Sequence, residues 1–368
     1  MASFPDYKHG NPRAAYKPVR QTLPEKDYDR KARKEAKGTL VAPVRPLDAQ
    51  AKALTLRAEK NISDAEALLE SWSLFSSLFS SKVRQIEKAA DMHAQAARDF
   101  KTAGMWKRAG DSYIKAKELF EQAAEVQAEG CTGTKGVTSE AANWTIEAAK
   151  CYKKVSVPAA SEAYQAAISL YTDAGRHATA ARYSMELGEL LKLGGNVEKK
   201  KAIKAFEQAA HYYTAADQPR HAEKSMVKAA ELCMDSNRPD PRRAIELFEK
   251  AARGALGRHE FRYVSKGYHF GASICAIVLA TQSEDTKDLE DSVSAYAEID
   301  SSFDGSMEHL FLKELVKAVI YVDKQAFSRA LHTYRGKQTM KDWMVTSLAS
   351  AEKLIPELAV MTRKIDIT

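Results

Sequence analysis

Two runs, Ala202-Ile203-Lys204-Ala205-Phe206-Glu207-Gln208-Ala209-Ala210 and Ala244-Ile245-Glu246-Leu247-Phe248-Glu249-Lys250-Ala251-Ala252, carry one pattern twice at an offset of 42 residues. In each, paired small residues bracket an aromatic at the i, i+3/i+4, i+7 spacing of one helix face. Paired alanines let neighbouring helix axes approach closely, and the aromatic fills the space beside them. Between the copies lies a further Ala-rich amphipathic run, His221 to Leu232, fenced by Ala216-Asp217-Gln218-Pro219 and by Ser236-Asn237-Arg238-Pro239-Asp240-Pro241. The unit is therefore helix, turn, helix, turn.

Tyr164, Ala167, Ile168 and Tyr171 fit the same template one offset earlier, and Phe100-Lys101-Thr102-Ala103-Gly104 mirrors Tyr171-Thr172-Asp173-Ala174-Gly175 as a helix end with a glycine stop. The repeat exceeds the tetratricopeptide period of about 34 residues but shares its logic of stacked antiparallel pairs. The expected fold is all-α, a tetratricopeptide-like solenoid of antiparallel helical hairpins over residues 47–280. Weaker periodicity and larger residues after that (Leu310, Phe311, Leu315, Phe327, Trp343, Leu348) predict a carboxy-terminal helical bundle and tail over 281–368.

The periodicity places a first helix from near Leu47, with the capping box Ser63-Asp64-Ala65-Glu66 either reinforcing it or run through. A second follows a cap at Ser81 and runs through Ile86, Ala90 and Phe100. Further helices are expected at Trp106–Ala128, Ala141–Tyr152, Ala159–Thr172, Thr179–Leu193, Lys201–Ala215, His221–Met234, Arg242–Gly254 and Tyr263–Thr281. Leu289–Ile299, Met307–Val322, Lys324–Arg335 and Lys341–Thr362 complete the set.

The 368 residues carry a formal net charge of +7. Residues 1–50 hold eleven Lys/Arg against six Asp/Glu, so the remaining chain is nearly balanced, and a broad nucleic-acid footprint is not expected. The same fifty residues hold six of the eleven prolines without sustained apolar periodicity, so residues 1–46 read as a disordered, basic, Pro-rich arm. Within it, Asp27 to Lys37 reads as a solvated tail or a transient helix on an acidic partner or membrane. No apolar run approaches the roughly 20 residues of a spanning helix, and Met1 to Gly10 lacks the apolar segment of a secretion signal. A cytoplasmic chain is expected.

Chemistry-bearing patterns are sparse. Cys131, Cys151, Cys233 and Cys275 are scattered, without zinc-finger spacing, and read as reduced thiols inside helices. Gly130-Cys131-Thr132-Gly133-Thr134-Lys135-Gly136 departs from the phosphate-loop pattern and has no strand before it, so it reads as an inter-helix loop. Neither a nucleophile motif nor a paired carboxylate stands out, and no catalytic residue, metal or cofactor is expected. Trp72-Ser73-Leu74-Phe75-Ser76-Ser77-Leu78-Phe79-Ser80-Ser81 interleaves bulky apolar residues with serines that compete for backbone hydrogen bonds. Leu74, Phe75, Leu78 and Phe79 are either core contacts of a helix end or a greasy loop for a bilayer or partner groove. Arg176, Arg182, Lys224, Lys228 and Lys266 recur at repeat-like intervals and could line one groove.

The chain resembles the soluble NSF attachment proteins, the alpha type more than the gamma type, from about Ala58 to its last residue. The carriers are Leu74-Phe75-Ser76-Ser77-Leu78-Phe79, Ile86-Glu87-Lys88-Ala89-Ala90, Lys101-Thr102-Ala103-Gly104-Met105-Trp106, Ile168-Ser169-Leu170-Tyr171-Thr172-Asp173-Ala174-Gly175-Arg176 and Asp342-Trp343, in order. The resemblance implies a twisted sheet of hairpins, and an adaptor that coats a SNARE bundle and presents it to the AAA ATPase N-ethylmaleimide-sensitive factor. It further implies membrane contact by Leu74, Phe75, Leu78 and Phe79, SNARE contact on the concave face by Arg176, Arg182, Lys224, Lys228 and Lys266, and ATPase contact by Asp366 and Ile367. The protein would then be cytoplasmic and peripherally membrane-associated, with neither nucleic acid nor a small-molecule substrate as partner. The arm 1–46 and the reduced acidic tail, Thr362 to Thr368, depart from that family's pattern. The rival reading is a generic scaffold gripping a peptide or helix in its groove without an ATPase link.

Overall fold

Alanine stripes and single aromatics build this molecule as pairs of helices laid side by side. The computed structural model describes residues 49–72, 79–128, 137–235, 238–258 and 262–356, and all regular structure among them is helical. The helices are α1 (Ala49–Trp72), α2 (Phe79–Thr102), α3 (Trp106–Ala128), α4 (Val137–Tyr152), α5 (Val157–Asp173), α6 (His177–Lys192) and α7 (Asn196–Ala215). They continue as α8 (Pro219–Met234), α9 (Pro241–Leu256), α10 (Arg262–Ser283), α11 (Leu289–Ile299), α12 (Met307–Ile320), α13 (Lys324–Arg335) and α14 (Asp342–Leu354). The expected arm over 1–46, the loop 130–136 and the tail beyond Pro356 lie outside the described residues.

From α1 to α10 each helix packs on the one before and the one after. Polar bridges join alternate helices and define two layers. In the odd layer Arg108 on α3 reaches Glu59 on α1 at 2.8 Å, Arg243 on α9 reaches Glu207 on α7 at 2.8 Å, and Tyr296 on α11 reaches Glu249 on α9 at 2.6 Å. In the even layer Lys101 on α2 meets Glu147 on α4 at 2.6 Å, and Lys228 on α8 pairs with Glu189 on α6.

The repeat is realised where it was read. Phe206 and Phe248 are both fully buried, with Ala202, Ala209, Ala244 and Ala251 beside them. Each ring lies against a glycine: a methyl on Gly188 would stand 2.5 Å from Phe206, and one on Gly271 would stand 2.9 Å from Phe248. The hole left by a missing side chain is filled by the ring, which keeps the packing dense.

One turn recurs. At the ends of α2, α5, α7 and α12 the N–H of Met105, Arg176, Gln218 and Asp323 donates back to the carbonyl of Phe100, Tyr171, Tyr213 and Ala318, all at 2.8 Å. The residue before each donor is left-handed: Gly104, Gly175, Asp217 and Val322. This is the Schellman ending, which satisfies carbonyls that have no partner further along the helix.

The character changes at α10, which packs against α9, α11, α12 and α14, while α14 also touches α8. Trp343 stacks on Phe248 at 5.8 Å between ring centres, and Phe311 stacks on Tyr334 at 4.1 Å. Lys341, at the start of α14, pairs with Glu231 on α8. One apolar cluster therefore runs from Ala142 through α10 to Ile355.

α1 runs unbroken through Ser63–Glu66, the second of the two expected readings, so no cap forms there. Other expected boundaries are corrected. α2 already begins at Phe79, upstream of the cap expected at Ser81. α12 stops at Ile320 rather than Val322, because Val322 turns left-handed. The last helix stops at Leu354 rather than Thr362, because Ile355 takes an extended conformation before Pro356. A proline has no N–H to donate and disfavours the helical conformation in the residue before it.

Candidate partner-binding face

The even-layer helices bury their small residues and leave a basic edge outside. In α6, Ala180, Ala181, Tyr183, Ser184, Leu187, Gly188 and Leu191 face inward, and Arg182 stands exposed among them. In α8 the buried set is Ala222, Glu223, Ser225, Ala229 and Ala230, leaving Lys224 and Lys228 exposed. Arg182, Lys224 and Lys266 are each separated by 42 residues and fall in the early turns of α6, α8 and α10. The repeat thus carries three cations at one register of one layer.

Their surroundings differ. Arg176 precedes α6, donates from Nη1 to Ser139 Oγ on α4 at 2.6 Å, and holds its guanidinium 5.6 Å from the centre of the Tyr171 ring. Arg182 donates from Nη2 to Tyr183 Oη at 2.7 Å and lies 4.6 Å from that ring's centre. Tyr171 and Tyr183 stack at 5.5 Å, so both arginines rest on one aromatic platform. Burial and the neighbouring Tyr183 push the Tyr171 hydroxyl up to about 12, so that ring stays neutral at physiological pH. Rings and hydroxyls orient a guanidinium without cancelling its charge. Lys224 is exposed, with no ion-pair partner among the described residues. Lys228 is instead paired with Glu189, and Lys266 with Glu308 on α12 at 3.2 Å. Three of the five expected positions therefore present uncancelled charge, and two share theirs with a carboxylate that the sequence reading did not single out. Glu189 precedes Lys228 by 39 residues, a separation with meaning only once alternate helices are known to be neighbours.

The remaining expected sites lie outside the described residues: Leu74, Phe75 and Leu78 of the apolar loop, and Asp366 and Ile367 of the tail. Phe79 opens α2, and nothing of its side chain is described.

A buried polar trio unforeseen in the sequence sits at the inner end of α10. Ser265 Oγ donates to Asp300 Oδ2, and His269 Nε2 lies 3.8 Å from the same oxygen. Burial alone would push Asp300 up, but hydrogen bonds from Ser265, Ser302 and the Ser302 backbone hold it below the usual carboxylate range. The serine proton is given to the carboxylate rather than to the imidazole, so the trio fastens the turn after α11 and prepares no nucleophile. Cys151, Cys233 and Cys275 are buried free thiols, as expected, while Cys131 lies outside the described residues. Burial pushes Cys233 up to about 12 and Cys275 higher still, which removes thiolate reactivity. Among the described residues no group of His, Cys, Asp and Glu is arranged to hold a metal, and no helix is long and apolar enough to cross a membrane.

Comparison with known proteins agrees with this geometry. Residues 56–355 match the family model described as "Soluble NSF attachment protein, SNAP". An alpha-soluble NSF attachment protein from Vitis vinifera is 28% identical over 299 residues, covering 81% of this chain and 94% of the relative. Its namesake from Mus musculus is 27% identical over 83% and 95%. A probable vesicular-fusion protein, the sec17 homologue from Neurospora crassa, is 30% identical over 77% and 91%. These relatives are named as attachment and fusion proteins rather than as enzymes. With the matched segment spanning nearly all of the hairpin array and the described terminal helices to Leu354, the chain belongs to the soluble NSF attachment protein family.

Proposed function

We propose that this protein is an adaptor that binds assembled SNARE complexes, recruits the AAA ATPase N-ethylmaleimide-sensitive factor and stimulates it to disassemble them in vesicle traffic. The single observation that carries the reading is the uncancelled charge of Arg182 and Lys224 at one register of α6 and α8, with Arg176 beside them. A row of fixed cations suits an elongated acidic partner lying across several helices, and such charge acts on encounter rate and register more than on raw affinity. An adaptor rather than an enzyme is the reading that the names of the family and of its relatives support.

Two further contacts complete the proposal. Leu74, Phe75, Leu78 and Phe79 dip into the bilayer, making the protein peripherally membrane-associated, each side chain gaining up to roughly 1.5–3 kcal/mol if fully buried. Ile367, with Asp366, enters the ATPase from the chain's end, where an apolar tip engages a pocket without disturbing the bundle behind it. The arm 1–46 is dispensable for both, and the body divides functionally into the hairpin array to about residue 280 and the terminal helices beyond it. Neither nucleic acid nor a small-molecule substrate is a partner.

The deciding experiment is a direct pulldown of the recombinant chain with assembled SNARE bundles and the ATPase, followed by the ATPase rate at saturating adaptor. Binding of both partners with stimulated hydrolysis is expected, and Ile367→Ala should retain SNARE binding while losing stimulation. Capture of SNARE bundles with no ATPase recruitment would leave only the generic scaffold.

A further inference from the structure

At the opposite end of α6 from Arg176, about 24 Å along a 16-residue helix, the chain forms a second basic corner. The turn Leu193-Gly194-Gly195-Asn196-Val197 leaves Leu193 88% exposed and Val197 63% exposed, and Leu193 is the most exposed large apolar residue among those described. Burying such a side chain against water's alternative is favourable, so its exposure at a turn tip suits an apolar surface the tip can enter. Behind the tip the first turn of α7 carries one acidic residue, Glu198, followed by Lys199, Lys200, Lys201 and Lys204. Glu198 answers the positive end of the helix, so the surplus charge of this corner lies in the lysines that follow it.

A cavity of about 550 Å³ lies between this helix start and the turn from α8 to α9, lined by Asn196, Lys199, Lys200, Lys204, Arg238 and Arg243. Two carboxylates, Glu207 and Asp240, also line it. Arg243 spends its charge on Glu207 and Glu246, and Lys199 donates to the Asp235 carbonyl at 2.6 Å. Lys200 and Lys204 are exposed, and neither has an ion-pair partner among the described residues. A concave site with surplus cations at a helix start, next to two exposed apolar residues, matches one chemistry in both parts: phosphates on a headgroup, and acyl chains beside it.

We propose that this corner docks on membranes through a polyphosphorylated lipid headgroup, Lys200 and Lys204 taking phosphates in the cavity while Leu193 and Val197 enter the acyl boundary. The site stands apart from the basic row on α6, α8 and α10 and does not depend on the adaptor reading. The apolar tip favours a lipid source over a soluble polyphosphate, and over an acidic protein surface that would need only the cations.

The test uses the full chain and vesicles of phosphatidylcholine containing either phosphatidylinositol 4,5-bisphosphate or phosphatidylserine at matched total charge. Wild type should bind the bisphosphate vesicles at least about tenfold more tightly than the serine vesicles. Lys200→Glu/Lys204→Glu should abolish that preference without lowering the melting temperature, since both side chains are exposed. Leu193→Ser/Val197→Ser should weaken vesicle binding while leaving calorimetric binding of inositol 1,4,5-trisphosphate unchanged. Equal binding to the two vesicle types overturns the proposal. So does a preference that survives Lys200→Glu/Lys204→Glu, which would move the contact elsewhere, or equal displacement by polyglutamate, which would make this a protein-docking surface.

Discussion

At the scale of single residues, the fit between Gly188 and Phe206 is among the tightest packing constraints in the array. A methyl at 188 would stand 2.5 Å from a ring that is itself fully buried. Overpacking a core typically costs about 1–3 kcal/mol, while replacing a helical glycine by alanine returns roughly 0.8–1 kcal/mol. Gly188→Ala should therefore lower stability by up to about 2 kcal/mol in urea unfolding, and adding Phe206→Leu should recover part of the loss through coupling in the double mutant. Additive costs would mean that the two positions do not share the space. A second residue-scale prediction concerns pH. His93 is 4% exposed with both ring nitrogens unpartnered, and its pKa is lowered by burial and then by Lys115 on α3, against an upward pull from Glu66 on α1. His269 and His309 are lowered too, each chiefly by burial. Below the ordinary histidine value near 6.5 the unfolded chain takes up protons that the folded chain refuses, so stability falls as pH drops through that value and toward the depressed one. Each histidine contributes a slope of at most about 1.4 kcal/mol per pH unit. His93→Leu should flatten the decline between pH 6.5 and 5, measured by urea midpoints, and an unchanged slope would remove His93 from the account.

At the scale of elements, the recurring helix ending shows what a sequence reveals and what it hides. Gly104 and Gly175 were legible as stops because glycine adopts a left-handed conformation at little cost. Asp217 closes the same turn and was legible as part of the Ala216–Pro219 fence, but nothing in a valine announces it, so the sequence carries the helix past its end, to Val322. The overrun of α14 had a legible remedy in Pro356, whereas the start of α7 at Asn196, five residues before the expected Lys201, follows a Gly194-Gly195 turn that the alanine pattern does not register. The repeat itself was readable because Phe206 and Phe248 carry large side chains at fixed spacing. Their glycine counterparts Gly188 and Gly271 were not, since an absent side chain marks a hole only when the ring that fills it is known. Val322 gives this ending a measurable consequence. A left-handed β-branched residue costs roughly 1–2 kcal/mol, of which glycine would return about half after its own chain entropy. Val322→Gly should raise the stability of the described body by about 0.5–1 kcal/mol, seen as a higher melting temperature, while Gly175→Val should lower it by about 1–2 kcal/mol. A fall on Val322→Gly would mean that the valine, though exposed, gains more from packing than its backbone suffers.

At the scale of the whole molecule, the basic row was visible in the sequence as five cations, but the charge it can offer a partner was not. Folding brings Glu189 to Lys228 and Glu308 to Lys266, while Arg176 and Arg182 meet only rings and hydroxyls and Lys224 meets solvent. Pairs across 39 and 42 residues follow from stacking alternate helices, so charge cancellation is a property of the array rather than of any helix in it. If an acidic SNARE bundle lies across α6 and α8, the uncancelled positions should dominate binding and its salt dependence. An exposed charge is worth roughly 0.5–1 kcal/mol, and reversal replaces attraction by repulsion. Arg182→Glu/Lys224→Glu should therefore weaken binding by about tenfold or more at low salt, with helicity unchanged, and the deficit should shrink as salt screens it. Lys228→Ala/Lys266→Ala should cost less than about threefold, because each removes a cation already shared with a carboxylate. Glu189→Gln should tighten binding slightly by releasing Lys228. Titration of the four proteins against assembled SNARE bundles at low and high salt separates these outcomes. Equal losses for the two double variants would show that the partner displaces Glu189 and Glu308 on docking, and unchanged affinity for Arg182→Glu/Lys224→Glu at low salt would place the binding face on another layer.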